Sequence, residues 1–152
     1  MGRFIKQGRV VILLSGRYAG KKAVVVKTFD EGTPQRKFAH CLVAGISKHP
    51  LFITKNMPEK KQQRRTRVRA FTKYVNYQHM IPTRYLVSGE LDLKTVVTED
   101  KMATVASRKE LRKELRNLFS TKYSTQKVPK KADKSEKSAA DNVKFFFNKL
   151  RF

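Results

Sequence analysis

The sequence predicts a mainly β protein with α: a small β-barrel or roll over residues 1–90, then a basic C-terminal extension over 91–152 containing one amphipathic helix. Three observations carry that prediction. Short β-branched runs alternate with glycine- and proline-marked turns through the first 57 residues. No acid occurs between Glu59 and Glu90, and cations crowd the start of that window. Further on, apolar residues recur at helical spacing behind a capping pattern.

Val10–Leu14 reads as the first strand and Ala23–Thr28 as the second. Their connection, Ser15 to Lys21, holds Gly16 and Gly20, which reach the positive φ that a tight hairpin needs. Asp30 to Pro34 marks the next turn. Phe38–Ile46 is a third strand, with Leu42, Ala44 and Ile46 on one face at period two. Lys48-His49-Pro50 breaks it, and Leu51–Thr54 is read as a fourth. Residues 56–70 form a basic loop or arm, and Arg67–Tyr77 mixes β-formers with cations as a strand with a charged face. Met80 to Tyr85 turns the chain, because the residue before Pro82 avoids the helical region.

The helix is expected over residues 104–123. Ser107 and Glu110 form the capping pattern, and Leu111, Leu115, Leu118, Phe119 and Tyr123 form its apolar stripe. Arg108, Lys109, Arg112, Lys113 and Arg116 occupy the opposite face, free to meet phosphates while the stripe packs. Residues 124–142, rich in Lys, Ser and Thr around Pro129, read as a flexible linker. The end is a basic aromatic tail, too short to form a core of its own.

Charge sets the class of partner. The 152 residues include 35 Lys+Arg and 12 Asp+Glu, a formal net charge of +23. A chain so charged repels itself in isolation, so a polyanion is the expected partner. The longest apolar run, Val10 to Leu14, falls far short of the roughly 20 residues of a membrane-spanning helix. No signal peptide is expected at the N-terminus, and the lone Cys41 points to a reducing compartment.

Site chemistry by catalysis is disfavoured. The loop from Gly16 to Lys22 is glycine-rich and ends in lysines, but three residues rather than four separate its glycines, and a β-run follows. It is not a nucleoside triphosphate loop. His40, Cys41, His49 and His79 lack the paired spacing of a metal site, and on a strand His40 and Cys41 point to opposite faces. No cofactor, metal or catalytic set is expected, and the chain is read as no enzyme.

Nucleic acid is the better match. Lys60, Lys61, Arg64, Arg65, Arg67, Arg69 and Lys73 form an acid-free cationic cluster suited to phosphates. Lys6, Arg9, Arg17, Lys21 and Lys22 are further expected phosphate contacts. Tyr18, Tyr77, His79, Arg84 and Tyr85 are candidates to stack on bases or reach riboses. A polybasic membrane contact is the weaker alternative, since Val68, Phe71 and Val75 lack the period of an amphipathic helix. Phe145, Phe146, Phe147, Leu150 and Phe152 are expected to dock into a protein or RNA pocket.

Gln7-Gly8-Arg9-Val10-Val11 through Gly20 to Val26-Lys27 resembles a KOW motif, the glycine-centred hairpin of many ribosomal and transcription-elongation proteins. Tyr77-Gln78-His79-Met80-Ile81-Pro82-Thr83-Arg84-Tyr85, Lys94-Thr95-Val96-Val97 and Phe146 to Phe152 narrow the likeness. With Met1 to Phe4 and Leu42 to Ile46, they resemble the eukaryotic-type family of large-subunit ribosomal protein twenty-seven. The resemblance implies an SH3-like barrel bound to large-subunit rRNA and neighbouring ribosomal proteins. It further implies a structural role in the cytoplasmic ribosome, nucleolar passage during assembly, no membrane or small-molecule partner, and no homo-oligomer. An accessory factor of transcription elongation of the KOW type is the alternative, and it predicts a protein-dominated interface.

Overall fold

A computed structural model describes residues 4–125 and 134–151. Five strands, β1 (Arg9–Leu13), β2 (Lys22–Phe29), β3 (His40–Lys48), β4 (Arg69–Asn76) and β5 (Met80–Leu86), form one antiparallel sheet in the order β4-β3-β2-β1-β5. The helices are α1 (Glu59–Thr66), α2 (Leu93–Val96), α3 (Asp100–Ala103), α4 (Val105–Thr125) and α5 (Lys134–Phe147). The protein is therefore mixed α/β.

The strand order forces curvature. β4 and β5 lie at opposite ends of the sheet, yet only the 3-10 turn Tyr77–His79 joins them. Three residues reach about 10 Å, so the sheet must curl until its ends nearly meet. Tyr77 N–H donates to the Ala39 carbonyl at 3.3 Å and Leu14 N–H to that of His79 at 3.0 Å, fixing the corner. Among the described residues no ladder joins β4 to β5, so the sheet is not closed into the barrel the sequence predicts. Tyr77–His79 leave the extended conformation where closure would occur, and Pro82 removes one donor from β5.

Curling gives both faces something to bury. Val10, Val24, Val26, Leu42, Ala44 and Ile46 cover the outer face and pack with Leu111, Leu115 and Phe119 of α4. Val11, Leu13, Val25, Cys41, Val43, Phe71 and Met80 fill the inside of the curl. Interior strand β3 is buried from His40 to Ile46, which is why its sequence reads as an almost unbroken apolar run. Gly16 and Gly20 adopt φ of 82° and 72°, the hairpin geometry expected of them.

The helical stripe behaves as predicted, with Leu118 and Tyr123 packed beside its buried members. Its cap lies three residues earlier than Ser107, because Thr104 Oγ1 accepts the Ser107 N–H at 3.1 Å. Four other stretches differ from expectation. Leu51–Thr54 is not a strand, and the basic arm is helical as α1. Met80–Leu86 is not a simple turn but strand β5, since pairing with β1 keeps the extended conformation that Pro82 favours. Of the expected linker, Ser124 and Thr125 end α4, residues 134–142 belong to α5, and residues 126–133 lie outside the described residues. Val143, Phe146 and Phe147, three and four apart, supply the stripe that docks α5.

Among the described residues no helix is long and apolar enough to cross a membrane, and no cluster of His, Cys, Asp and Glu could hold a metal.

Candidate nucleic-acid interface

A groove of about 690 Å³ runs between the β1–β2 hairpin, the outer ends of β3 and β4, and α4. Arg17, Lys21, Lys48, Arg69, Lys109, Arg112, Lys113 and Arg116 line it. The helix supplies four of these cations because residues 109, 112, 113 and 116 share one face at spacings of three and four. Among the described residues no acid lines the groove. Lys27 pairs with Glu99, Lys101 with Glu114 at 2.6 Å and Lys122 with Glu90 at 4.0 Å, and none of these pairs uses a groove cation. Eight like charges facing one space repel one another, and a bound polyanion relieves that repulsion.

The groove continues at both ends. Arg116 also lines a hollow of about 210 Å³ with Gln63, Thr66 and Arg67, carrying positive charge toward α1. Arg112 and Tyr18 line another with Phe71, Thr72, Val105 and Arg108. Tyr18 stacks on Phe71 with ring centroids 3.9 Å apart, so one face of its ring is already covered. Lys73 reaches the hairpin, where a Cβ on Gly16 would stand 3.2 Å from its Nζ.

Of the residues expected from sequence, the fold thus assembles Arg17, Tyr18, Lys21 and Arg69 in the groove, with Arg67 and Lys73 beside it. Lys60, Lys61 and Arg64 are exposed on α1, and Lys6, His79 and Arg84 are exposed elsewhere. Arg9 is largely internal: its Nη1 donates to the Thr83 carbonyl at 3.1 Å, and its guanidinium lies 5.0 Å from the centre of the Phe4 ring. Tyr77 donates its hydroxyl to Asp30 at 2.7 Å, and burial first, then that bond, raises its pKa. Tyr85 stacks on Phe145 at 4.0 Å, with the Arg84 guanidinium 5.1 Å from its ring centre.

Two expectations are overturned by burial. Lys22 is 2% exposed, so it meets no phosphate. Its Nζ donates to the carbonyls of Phe145 and Asn148 at 2.6 and 2.8 Å and lies 3.8 Å over the Phe145 ring. Burial lowers its pKa to about 8. Phe146 and Phe147 are likewise buried, so the pocket that receives them belongs to this chain and not to a partner. Phe145 and Leu150 are half-buried, and Phe152 lies outside the described residues.

His49 completes the hold on α5. It is buried, and its Nδ1 donates to the Phe147 carbonyl at 3.0 Å. Burial lowers its pKa most; Lys22, Lys21 and Lys149 add to the shift and the Phe147 bond opposes it. The unfolded chain therefore takes the proton first. Stability from neutral His49 is present above pH ~6.5 and is lost as pH falls through the lower folded value. Urea titrations at neutral pH and near pH 5 check this: the midpoint is expected to fall in the wild type and less in His49→Gln.

From sequence the α4 cations stand out only as one helix face, and Lys48 only as the start of a strand break, not as a phosphate contact. Spacing could have grouped the former; nothing local marks the latter. Cys41 is chemically quiet: it is buried in the curl, burial raises its pKa to about 12, and its Sγ faces Met80 Sδ at 3.8 Å.

A curled sheet braced by helices presents a groove of eight cations with no acid among its described lining residues, the arrangement of a class of protein suited to a polyanion. Comparison with known proteins makes the class particular. The Ribosomal L27e protein family matches residues 10–152, and the chain belongs to that family. "Large ribosomal subunit protein eL27" of Tetrahymena thermophila is 51% identical over 152 residues, covering 100% of both chains. The protein of the same name from Candida albicans (strain SC5314 / ATCC MYA-2876) is 43% identical over 152 residues, again covering 100% of both. The family is structural and not catalytic, and neither comparison supports a transcription-elongation factor.

Proposed function

We propose that this chain is a structural constituent of the large subunit of the cytoplasmic ribosome, binding large-subunit rRNA and neighbouring ribosomal proteins. Membership of the Ribosomal L27e protein family supports the role, and the groove supports the manner of binding. The carrying observation is the set of eight groove cations with no acid among them. They hold RNA by its phosphates, displacing condensed counterions, and the rigid sheet and α4 fix their spacing in advance. The chain joins the subunit as a single copy during nucleolar assembly; its own charge opposes self-association. The curled sheet is read as an SH3-like unit of the KOW type, a reading supported by the Gly16–Gly20 hairpin and by sheet ends that nearly meet.

Neutralising Arg69, Arg112, Lys113 and Arg116 together to Gln tests the groove. The slope of log K against log salt for large-subunit rRNA is expected to flatten by about 3–4, at roughly 0.9 per lost phosphate contact. Affinity near physiological salt is expected to fall by at least about tenfold. Filter binding across a salt series reads both. Unchanged slope and affinity would show that these cations are only solvated.

A further inference from the structure

We propose that the loop from Leu51 to Met57, mounted on α1, is a second RNA contact in which the ring of Phe52 stacks on one unpaired base while Arg65 and Lys61 hold the adjoining phosphate. The inference rests on the reading of the chain as an RNA-binding protein and adds a site of a different kind, since the groove is read as holding RNA by its phosphates. Phe52 is 78% exposed, more than any other large apolar side chain among the described residues.

That exposure is built in. The Leu51 N–H donates to the Arg65 carbonyl at 2.8 Å, and Arg65 Nε donates to the Phe52 carbonyl at 2.8 Å. At the other end of the loop, Gln62 Nε2 donates to the Met57 carbonyl at 2.7 Å. The loop is therefore fastened to the helix at both ends, and its aromatic residue is held outward. No residue of α1 is buried, so the helix contributes nothing to the core and serves as a mount.

The chemistry around the ring selects the partner. Residues 55–65 hold five cations, Lys55, Lys60, Lys61, Arg64 and Arg65, against one acid, Glu59, which already accepts a hydrogen bond from Gln63 Nε2 at 3.2 Å. Arg65 spends Nε on the loop and keeps both Nη groups as donors, which fixes a guanidinium against the Phe52 backbone. Lys61 stands one turn earlier on the same helix face. An aromatic plane next to fixed cations suits an unpaired base and its phosphate. Duplex RNA offers no free base face. Leu51 and Phe52 alone are too small an apolar area, and too ringed by charge, for a stable protein interface.

The full chain is tested with a short single-stranded RNA carrying one 2-aminopurine and with a duplex of the same sequence. In Phe52→Ala, quenching of the 2-aminopurine is expected to vanish and single-strand affinity to fall about tenfold. Salt slope, duplex affinity and melting temperature should stay unchanged, and Phe52→Trp should restore quenching. Retained quenching and affinity in Phe52→Ala, or an equal loss on the duplex, would overturn the site. So would unchanged RNA binding with weakened binding of a polyglutamate peptide, which would assign the loop to an acidic protein. If Phe52→Ala is silent while the Gln groove variant still loses affinity, only the loop proposal fails. If the groove variant is silent too, the reading of the groove fails separately.

Discussion

Phe146→Ala is expected to lower the unfolding free energy by about 3–5 kcal/mol, the usual cost of deleting a buried aromatic ring. Phe146 has no solvent exposure and meets Phe119 and Phe147 edge to face, with centroids 5.4 Å away in both cases. Its ring closes the cluster that joins α5 to α4 and the outer face of the sheet, so its loss opens a cavity shared by three elements. The neighbouring Phe145 is half-buried and stacks only on Tyr85, so Phe145→Ala should cost distinctly less. Phe119→Ala should not add to Phe146→Ala, because the two rings lose one contact in common. Urea denaturation followed by circular dichroism measures all three. A loss below about 1 kcal/mol for Phe146→Ala would mean that α5 is undocked in solution.

Lys22→Ala is the second large effect. The substitution strands two carbonyls at the end of α5 and removes the stem beneath the Phe145 ring. Each stranded carbonyl costs about 1–3 kcal/mol, and the vacated space adds to that. Lys22→Met keeps the volume, sheds the penalty of burying an ammonium and should recover about half of the loss. The pH dependence distinguishes this account from simple packing. With a folded value of about 8 against 10.5 unfolded, the unfolded chain holds more protons between those limits. Wild-type stability relative to Lys22→Met should therefore rise as pH climbs from about 8 to about 10.5. A flat difference would show that Lys22 carries no burial penalty.

These two side chains also show where the sequence is legible. Strands β1 to β4 and helix α4 announce themselves through β-branched runs and an i, i+4 leucine stripe. Helix α1 does not, because it is polar all round and draws its support from bonds to the loop beside it. α5 hides behind a Lys- and Ser-rich lead-in, although Val143, Phe146 and Phe147 already carried its period. The barrel expectation erred at one corner, where three residues turn instead of pairing. Lys21 and Lys22 look identical as text, yet one lines the groove and the other is buried beneath the end of α5. Lys22 shares its face with Val24 and Val26 at period two, a signal that phosphate-seeking logic passes over. The groove itself was only half visible, since Lys48 and the α4 cations meet the hairpin through tertiary contact that no local spacing encodes.

The bond from Lys22 to the end of α5 has a consequence in time. The partners are separated by 123 and 126 residues along the chain. At ordinary synthesis rates of about 5–20 residues per second, β2 exists for roughly ten seconds before its capping helix is made. Late in that interval, with α4 made and α5 not, the nascent chain lacks the cover of Phe146 and Phe147 while already carrying most of its positive charge. A half-made protein of this kind is both sticky and RNA-seeking until the last helix closes the core.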